Sequence, residues 1–451
     1  MRIVTPATEK IIGWYLLSFE AFERGLNGRS KMPVHLLRRA AIARFVEMGF
    51  PTTKDEEWRF TNIAPIVKTE FRPAVQPSDQ EVSLKDIGKF MFGGMACHRL
   101  VFLNGHFAPG LSSMAGLPSH VKATSLASAF ASDGTMLYNH LGKYVRGDEN
   151  GFTALNTSFI QDGAFIHVPD NITLDEPIHL LFVSVGGEVP FVSSPRNLIV
   201  AGDGSRLSIV ESYVSLAGIP YLTNAVTEMV AGTKAVIEHD KFQEESLNAF
   251  HIGTTHFHQA AGSNVVSNSV VMGGSIVRNN VNVMLDGEGI ESTLNGLSLG
   301  TGAQLVDNHT TIDHAKPNCT SHELYKSILD GKSRGVFNGR IFVRKDAQKT
   351  DAKQTNKTLL LSDEATVDTK PQLEIFADDV KCTHGATVGQ LDEEQIFYLR
   401  SRGFSGESAR DTLTYAFASD VIGRIHVDPL RERLDAVLSA RLRKGREHDD
   451  A

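Results

Sequence analysis

Cys382 and His384 stand two residues apart in the run Asp378–Gly389, DDVKCTHGATVG. The run reads as a turn, a short strand and another turn. Side chains alternate along a strand, so this spacing places the thiol and the imidazole on one face. Together they make a soft, titratable pair. The plainer roles are a small buried hydrophobe for Cys382 and a hydrogen-bonded strand-end histidine for His384. His256 and His258 also share a strand face, with His251 nearby. They lack a third ligand at a recognised spacing, so a solvated outer face is the expectation. His309, His314 and His322 lie on a polar stretch that reads as a coil surface. Cys319, after Pro317, reads as structural, and Cys97 is assigned nothing. No G-x-x-x-x-G-K-[ST] phosphate loop is found.

The elements around the pair are of two kinds. Behind it, Asp392–Arg402 reads as a helix with Asp392 as cap, Glu393 and Glu394 at the positive end of its dipole, and Gly403 as stop. Ile396, Phe397 and Leu399 give it an apolar side. A second helix runs from about Gly406 to Val421, with Ala409, Leu413, Ala416, Phe417 and Val421 along one side. A third starts near Asp428 with Leu430, Leu434, Val437, Leu438 and Leu442, and fades into a charged end that reads as disordered.

Ahead of the pair, from roughly Gly151 to Gly389, helical periodicity is absent. Short β-rich runs are punctuated instead by Gly, Asp and Asn: Ala201-Gly-Asp-Gly, Ala231-Gly-Thr, Ala261-Gly-Ser, Asp286-Gly-Glu-Gly, Gly300-Thr-Gly, Asp330-Gly-Lys, Asp363-Glu and Asp378-Asp. The punctuation recurs at roughly 13–17 residues or about twice that, a weak internal repeat. Within runs the sides alternate, Phe337, Ile341 and Val343 against Asn338 and Arg340. Parallel sheets of the doubly wound kind need crossover helices, which this pattern lacks. It fits a β-solenoid, with a β-sandwich as the competing architecture. A solenoid ends in an open sheet edge that must be capped or paired, so something should cover the stretch near Asp378–Gly389. Residues 1–150 read as a mainly helical domain containing a strand–turn–strand from Arg99 to Phe107, residues 151–390 as the β core, and 391–451 as a C-terminal helical domain. In Asp55-Glu-Glu-Trp-Arg-Phe-Thr-Asn62, Trp58 and Phe60 are expected to pack inward.

At 451 residues the chain exceeds one ordinary core. Its 41% hydrophobic and 22% charged content suits a soluble globular protein. A net charge of −8 argues against nucleic-acid binding, and no apolar run is long enough to span a membrane. The N-terminus reads as a helix rather than a signal peptide. Three cysteines point to a reducing compartment, hence the cytoplasm.

Four motifs together resemble the SufB/SufD family: Asp307–Glu323 (DNHTTIDHAKPNCTSHE), Gly335–Gly339, Cys382–Gly389 and Glu394–Gly403 (EQIFYLRSRG). The likeness is good over roughly residues 150–425 and looser before, mainly through Asp55–Asn62. It implies a mainly β protein with helical ends, built on a right-handed parallel β-helix core. It also implies a scaffold subunit of the Suf iron–sulfur cluster assembly machine rather than an enzyme. SufB-like members carry a cysteine in a Gln-Cys-Asp-Ser-Leu-Leu-type run and a glutamate after the later histidine. Here Asn356 and Gly385 occupy those places, and neither supplies the thiolate a sulfur acceptor needs. The resemblance is therefore to the SufD branch, with a SufB-like sulfur-accepting scaffold as the alternative.

That branch implies pairing with SufB through the β-helices. It also implies docking of the ABC-type ATPase SufC on the C-terminal helices, through Phe397, Leu399, Arg400, Arg402, Gly403, Phe404 and Arg410. It places His384, with Cys382 beside it, at the subunit interface where a transient cluster forms, as metal ligands shared with the partner subunit. ATP would bind SufC, a reduced flavin could bind the whole complex, and in isolation the chain could pair with a second copy. A β-helical polysaccharide enzyme is the rival from another class. It needs paired acids and aromatic sugar platforms, and the two tryptophans here both precede residue 60.

Overall fold

The computed structural model describes residues 6–26, 29–77 and 82–444. The charged C-terminal end lies outside the described residues beyond 444. Two long sheets, of eleven and ten strands, form a β-solenoid of about eight turns. Each coil gives one strand to each sheet, so the punctuation marks half-coils. From Ile178 onward every described strand pairing is parallel and in register, as in Asn264 to Glu291 to Thr320 to Asp351 to Lys381. Tight corners connect the strands, and Gly204 and Gly262 take left-handed φ of 65° there, a region open to glycine at little cost.

The inner faces carry an apolar column that includes Ile209, Ile237, Val265, Val283, Leu285 and Ile312. Phe337, Ile341 and Val343 point inward as the alternation indicates, while Asn338 and Arg340 point outward. The middle of the lumen is polar. Glu211 accepts from Tyr213 (2.6 Å) and lies 3.0 Å from His239 Nε2. Lys241 Nζ donates to Asn279 (2.8 Å), and His251 Nδ1 lies 2.8 Å from Glu245. Burial alone would raise the Glu211 carboxyl, but His239, Lys241 and Tyr213 together hold it at about 2. Buried charges persist only when paired in this way.

Both outer faces are covered by helices. Helices Pro6–Gly25, Pro33–Met48 and Gly151–Ser158 pack an aromatic cluster (Tyr15, Phe19, Phe45, Phe50, Phe152) over Leu222, Phe250 and Ile252 of the eleven-stranded sheet. Asp55–Asn62 then crosses the outer edge of later coils. Trp58 is buried, stacked on Phe152 and under the Arg278 guanidinium at 3.8 Å. Arg278 bonds Asp307 (2.8 Å), Glu57 faces His309 (3.3 Å), and Glu56 pairs with Lys370 on the last coil. Trp58 thus packs inward as expected, while Phe60 is half-buried. Sheet strands already begin within the first 150 residues, at Arg72–Pro73 and then His98–Leu103.

The C-terminal helices Gly406–Ile422 and Asp428–Lys444 fold back on the ten-stranded sheet. Ala418, Val421, Ile422, Leu430, Leu434 and Leu438 meet Phe242, Val270, Leu297 and Ile328. The buried side of the first of these helices is Ala409, Thr414, Ala418, Val421 and Ile422. Leu413 and Ala416 instead line an outer groove. The expected stripe was rotated because the sheet it packs on could not be placed from the helix alone.

Candidate functional site

The two ends of the solenoid differ. At the N-terminal end Lys122–Ser125 runs antiparallel to Ala164–Val168, and the hairpin His106–Phe107 folds on His98–Leu103. At the other end, Thr366–Ile375 pairs with Arg334–Val343 and Lys381–Gly389 with Asp351–Leu360, and among the described residues neither has a further partner strand. The last strand is exposed apart from half-buried Cys382. Ile375, Phe376 and Val388 are 39%, 59% and 47% exposed at this rim. Such an edge offers unpaired N–H and C=O groups and apolar side chains together, which is a template for another chain.

Cys382 and His384 lie here, on the same inward face of the last strand, as the spacing requires. Cys382 sits above Ala352 and packs toward Ile341 and Val343. Burial pushes its thiol above the ordinary value, and the charge of Asp351 adds to that. In the free chain it is therefore a protonated thiol, packed as a hydrophobe with a solvent-facing side. His384 sits above Gln354 and is exposed. Gly385 points outward, and a Cβ there would meet nothing within 4 Å. Asn356 points inward, 1% exposed, and donates to the Tyr325 carbonyl at 3.4 Å.

The other histidine groups are dispersed. His251 points into the lumen, whereas His256 and His258 point outward. Tyr144 covers them, with ring centroids at 6.0 and 5.0 Å, and burial holds the His256 imidazole at about 4. The expected solvated face is thus corrected: the segment before Gly151 lies on it. His309 belongs to the Trp58 region and buried His314 bonds Ser321 (2.9 Å). Among the described residues no group of three His, Cys, Asp or Glu side chains is arranged to hold a metal ion. Cys319 is buried and donates to the Gly287 carbonyl.

Next to the open rung, Asp392 caps helix Glu393–Ser401, its Oδ1 accepting from the Glu394 N–H (2.8 Å). Gly403 ends it at φ 93°. Ile396 is buried, but Phe397 is 72% exposed, Tyr398 57% and Phe404 43%. Phe397 therefore leaves the apolar side expected for it and faces outward. With Leu399, Leu413 and Ala416 it lines an open groove of about 1040 Å³. Arg402 lies over the Tyr398 ring and bonds its hydroxyl (2.9 Å), and Arg410 reaches Glu393 (3.3 Å). Gly403 and Arg400 are exposed. Sequence reasoning missed Glu323, Gln354 and Gly339 beneath His384; Gly339 closes one of the motifs noted above.

Fold and site together describe a β-solenoid protein with short antiparallel strands at its N-terminal end and a long, exposed strand edge at its C-terminal end. The family profile described as "SUF system FeS cluster assembly, SufBD core domain" matches residues 182–417, and "SufBD protein N-terminal region" matches 10–180. The chain belongs to the SufBD family of iron–sulfur cluster assembly proteins. It is 34% identical to an iron-sulfur cluster assembly SufBD family protein of Synechocystis, over 90% of both chains. It is 30% identical to the iron-sulfur cluster assembly protein SufD of Escherichia coli, over 90% of this chain and 92% of that one. It is also 30% identical to the chloroplastic protein ABCI7 of Arabidopsis thaliana, over 90% of this chain and 85% of that one.

Proposed function

We propose that this chain is the SufD-type scaffold subunit of an iron–sulfur assembly complex and carries no catalytic step of its own. Its last coil pairs with a SufB-type sister, and the groove at Phe397 takes the SufC-type ATPase. The observation that carries the pairing is the contrast between the two solenoid ends. An exposed strand edge rimmed by Ile375, Phe376 and Val388 is a liability that a resident partner removes. His384, exposed on that edge, and Cys382 beside it would face the nascent cluster, which is the machine's cargo. A neutral imidazole is ready to ligate; the Cys382 thiol must first lose its proton. The branch reading rests on Asn356 and Gly385, which offer no thiolate or carboxylate. The groove has the aromatic, exposed character of a docking surface. ATP binds the ATPase in this scheme, and the cytoplasm is the compartment.

Co-expression with SufB- and SufC-type partners, followed by native mass measurement, tests this. A stable assembly containing all three supports the reading. Recovery of this chain alone contradicts it.

A further inference from the structure

Three residues beneath the last coil form an arrangement that pairing through strand edges does not explain. Gln354 lies one rung below His384 in the same inward column, and Glu323 one rung below Gln354. Gln354 Nε2 donates to Glu323 Oε2 at 2.5 Å. The two side chains are only 1% and 3% exposed. This bond orients the amide: the nitrogen is committed to the carboxyl, so the oxygen is the atom left over. Gln354 Oε1 is buried and without a partner. The opposite wall makes room for this pose. A Cβ on Gly339 would lie 2.3 Å from Gln354 Nε2 and 2.6 Å from its Cδ. Only glycine lets the amide reach across the lumen.

Adjacent strands stand about 4.8 Å apart. His384 projects from the next strand on the same face, directly over Gln354 in the pairing register. We propose that Gly339, Gln354 and Glu323 are a positioning set for His384: Gln354 Oε1 accepts one ring N–H, and the other ring nitrogen is presented unprotonated to the partner. This rests on the reading of His384 as an interface ligand. Neutral imidazole ligates through the nitrogen that lacks the proton, and an acceptor on the other nitrogen settles which one that is. Glu323 acts only through Gln354, and Gly339 only by leaving space.

The test uses the full chain with ¹⁵N-labelled histidine. The His384 ring signals are identified by their loss in His384→Gln, and the tautomer is read from ring nitrogen shifts. One neutral tautomer should hold at least about nine-tenths of the wild-type population, a tenfold ratio. Glu323→Leu frees the amide to turn over, so the population should become mixed or reversed although residue 323 never touches the ring. Gly339→Ala should mix it as well. The exchange Glu323→Gln with Gln354→Glu reverses the lower bond, with residue 323 now donating, but leaves a carboxylate oxygen at 354 as the acceptor above, and should restore the wild-type tautomer. A purely structural role would change melting behaviour without moving the tautomer. A mixed wild-type population, or an unchanged tautomer in folded Glu323→Leu or Gly339→Ala, overturns the proposal. Cluster assembly in cells with His384→Ala is read separately. Normal assembly there removes His384 from the mechanism while the tautomer result stands on its own.

Discussion

Trp58→Ala is the sharpest structural perturbation, because it tests how the N-terminal helices are fastened to the later coils. The indole is 4% exposed, 5.4 Å from the Phe152 ring and 3.8 Å below the Arg278 guanidinium. Truncating a buried tryptophan costs about 3–5 kcal/mol, from lost transfer energy and the cavity left. Arg278 keeps Asp307 at 2.8 Å and the Glu57 carbonyl at 2.6 Å, so no charge is stranded and the cost stays within that range. The cation–π contact contributes about 1–2 kcal/mol of it in this desolvated setting. A double-mutant cycle with Arg278→Ala should recover that part as coupling. The assay is urea unfolding of the full chain, with the midpoint converted through the measured slope. A loss below about 1 kcal/mol, or no coupling to Arg278, would refute the view that Trp58 fastens this region.

Three further outcomes follow from the geometry. His384→Ala sits on an exposed position and should change stability by less than about 0.5 kcal/mol, while cluster-enzyme activity in cells falls; normal activity with the variant as sole copy would count against the interface. Phe397→Asp, at a side chain 72% exposed, should leave the melting profile unchanged and reduce capture of a SufC-type ATPase at least about tenfold, the scale of a 1.4 kcal/mol contact; undiminished capture places docking elsewhere. Burial raises the Glu323 carboxyl from its usual range to about 7. Its favourable neutral form is fully present below pH 4.5, and the cost of ionisation grows as pH rises through 7. Glu323→Gln should therefore gain stability over wild type at pH 8, by up to about 3 kcal/mol, with the difference vanishing near pH 4. A pH-independent difference would contradict the burial argument.

The solenoid was legible because corners and inward columns obey local rules. Gly204 and Gly262 turn the chain, and Phe337, Ile341 and Val343 alternate with Asn338 and Arg340. The site pair was legible for the same reason: two residues apart on a strand is one face. What hydropathy hid was the polar lumen. Glu211, Lys241, His251, Glu323 and Gln354 are buried, yet their residue types read as surface, since only partners brought from other coils make burial tolerable. The cover over His256 and His258 escaped for a related reason, because Tyr144 arrives from more than a hundred residues away. Helix faces were the weakest reading. The strands beneath carry Phe242, Val270 and Leu297 on their outer side, and that apolar outer face was the overlooked signal for helices lying on them.

Backbone hydrogen exchange over Thr366–Gly389 addresses the main claim most directly, measured for the chain alone and with a SufB-type partner. If a sister protein completes the last coil, the outward-facing amides there exchange rapidly in isolation and become strongly protected in the complex. Protection already present in the monomeric chain, or exchange unaltered by the partner, would contradict it.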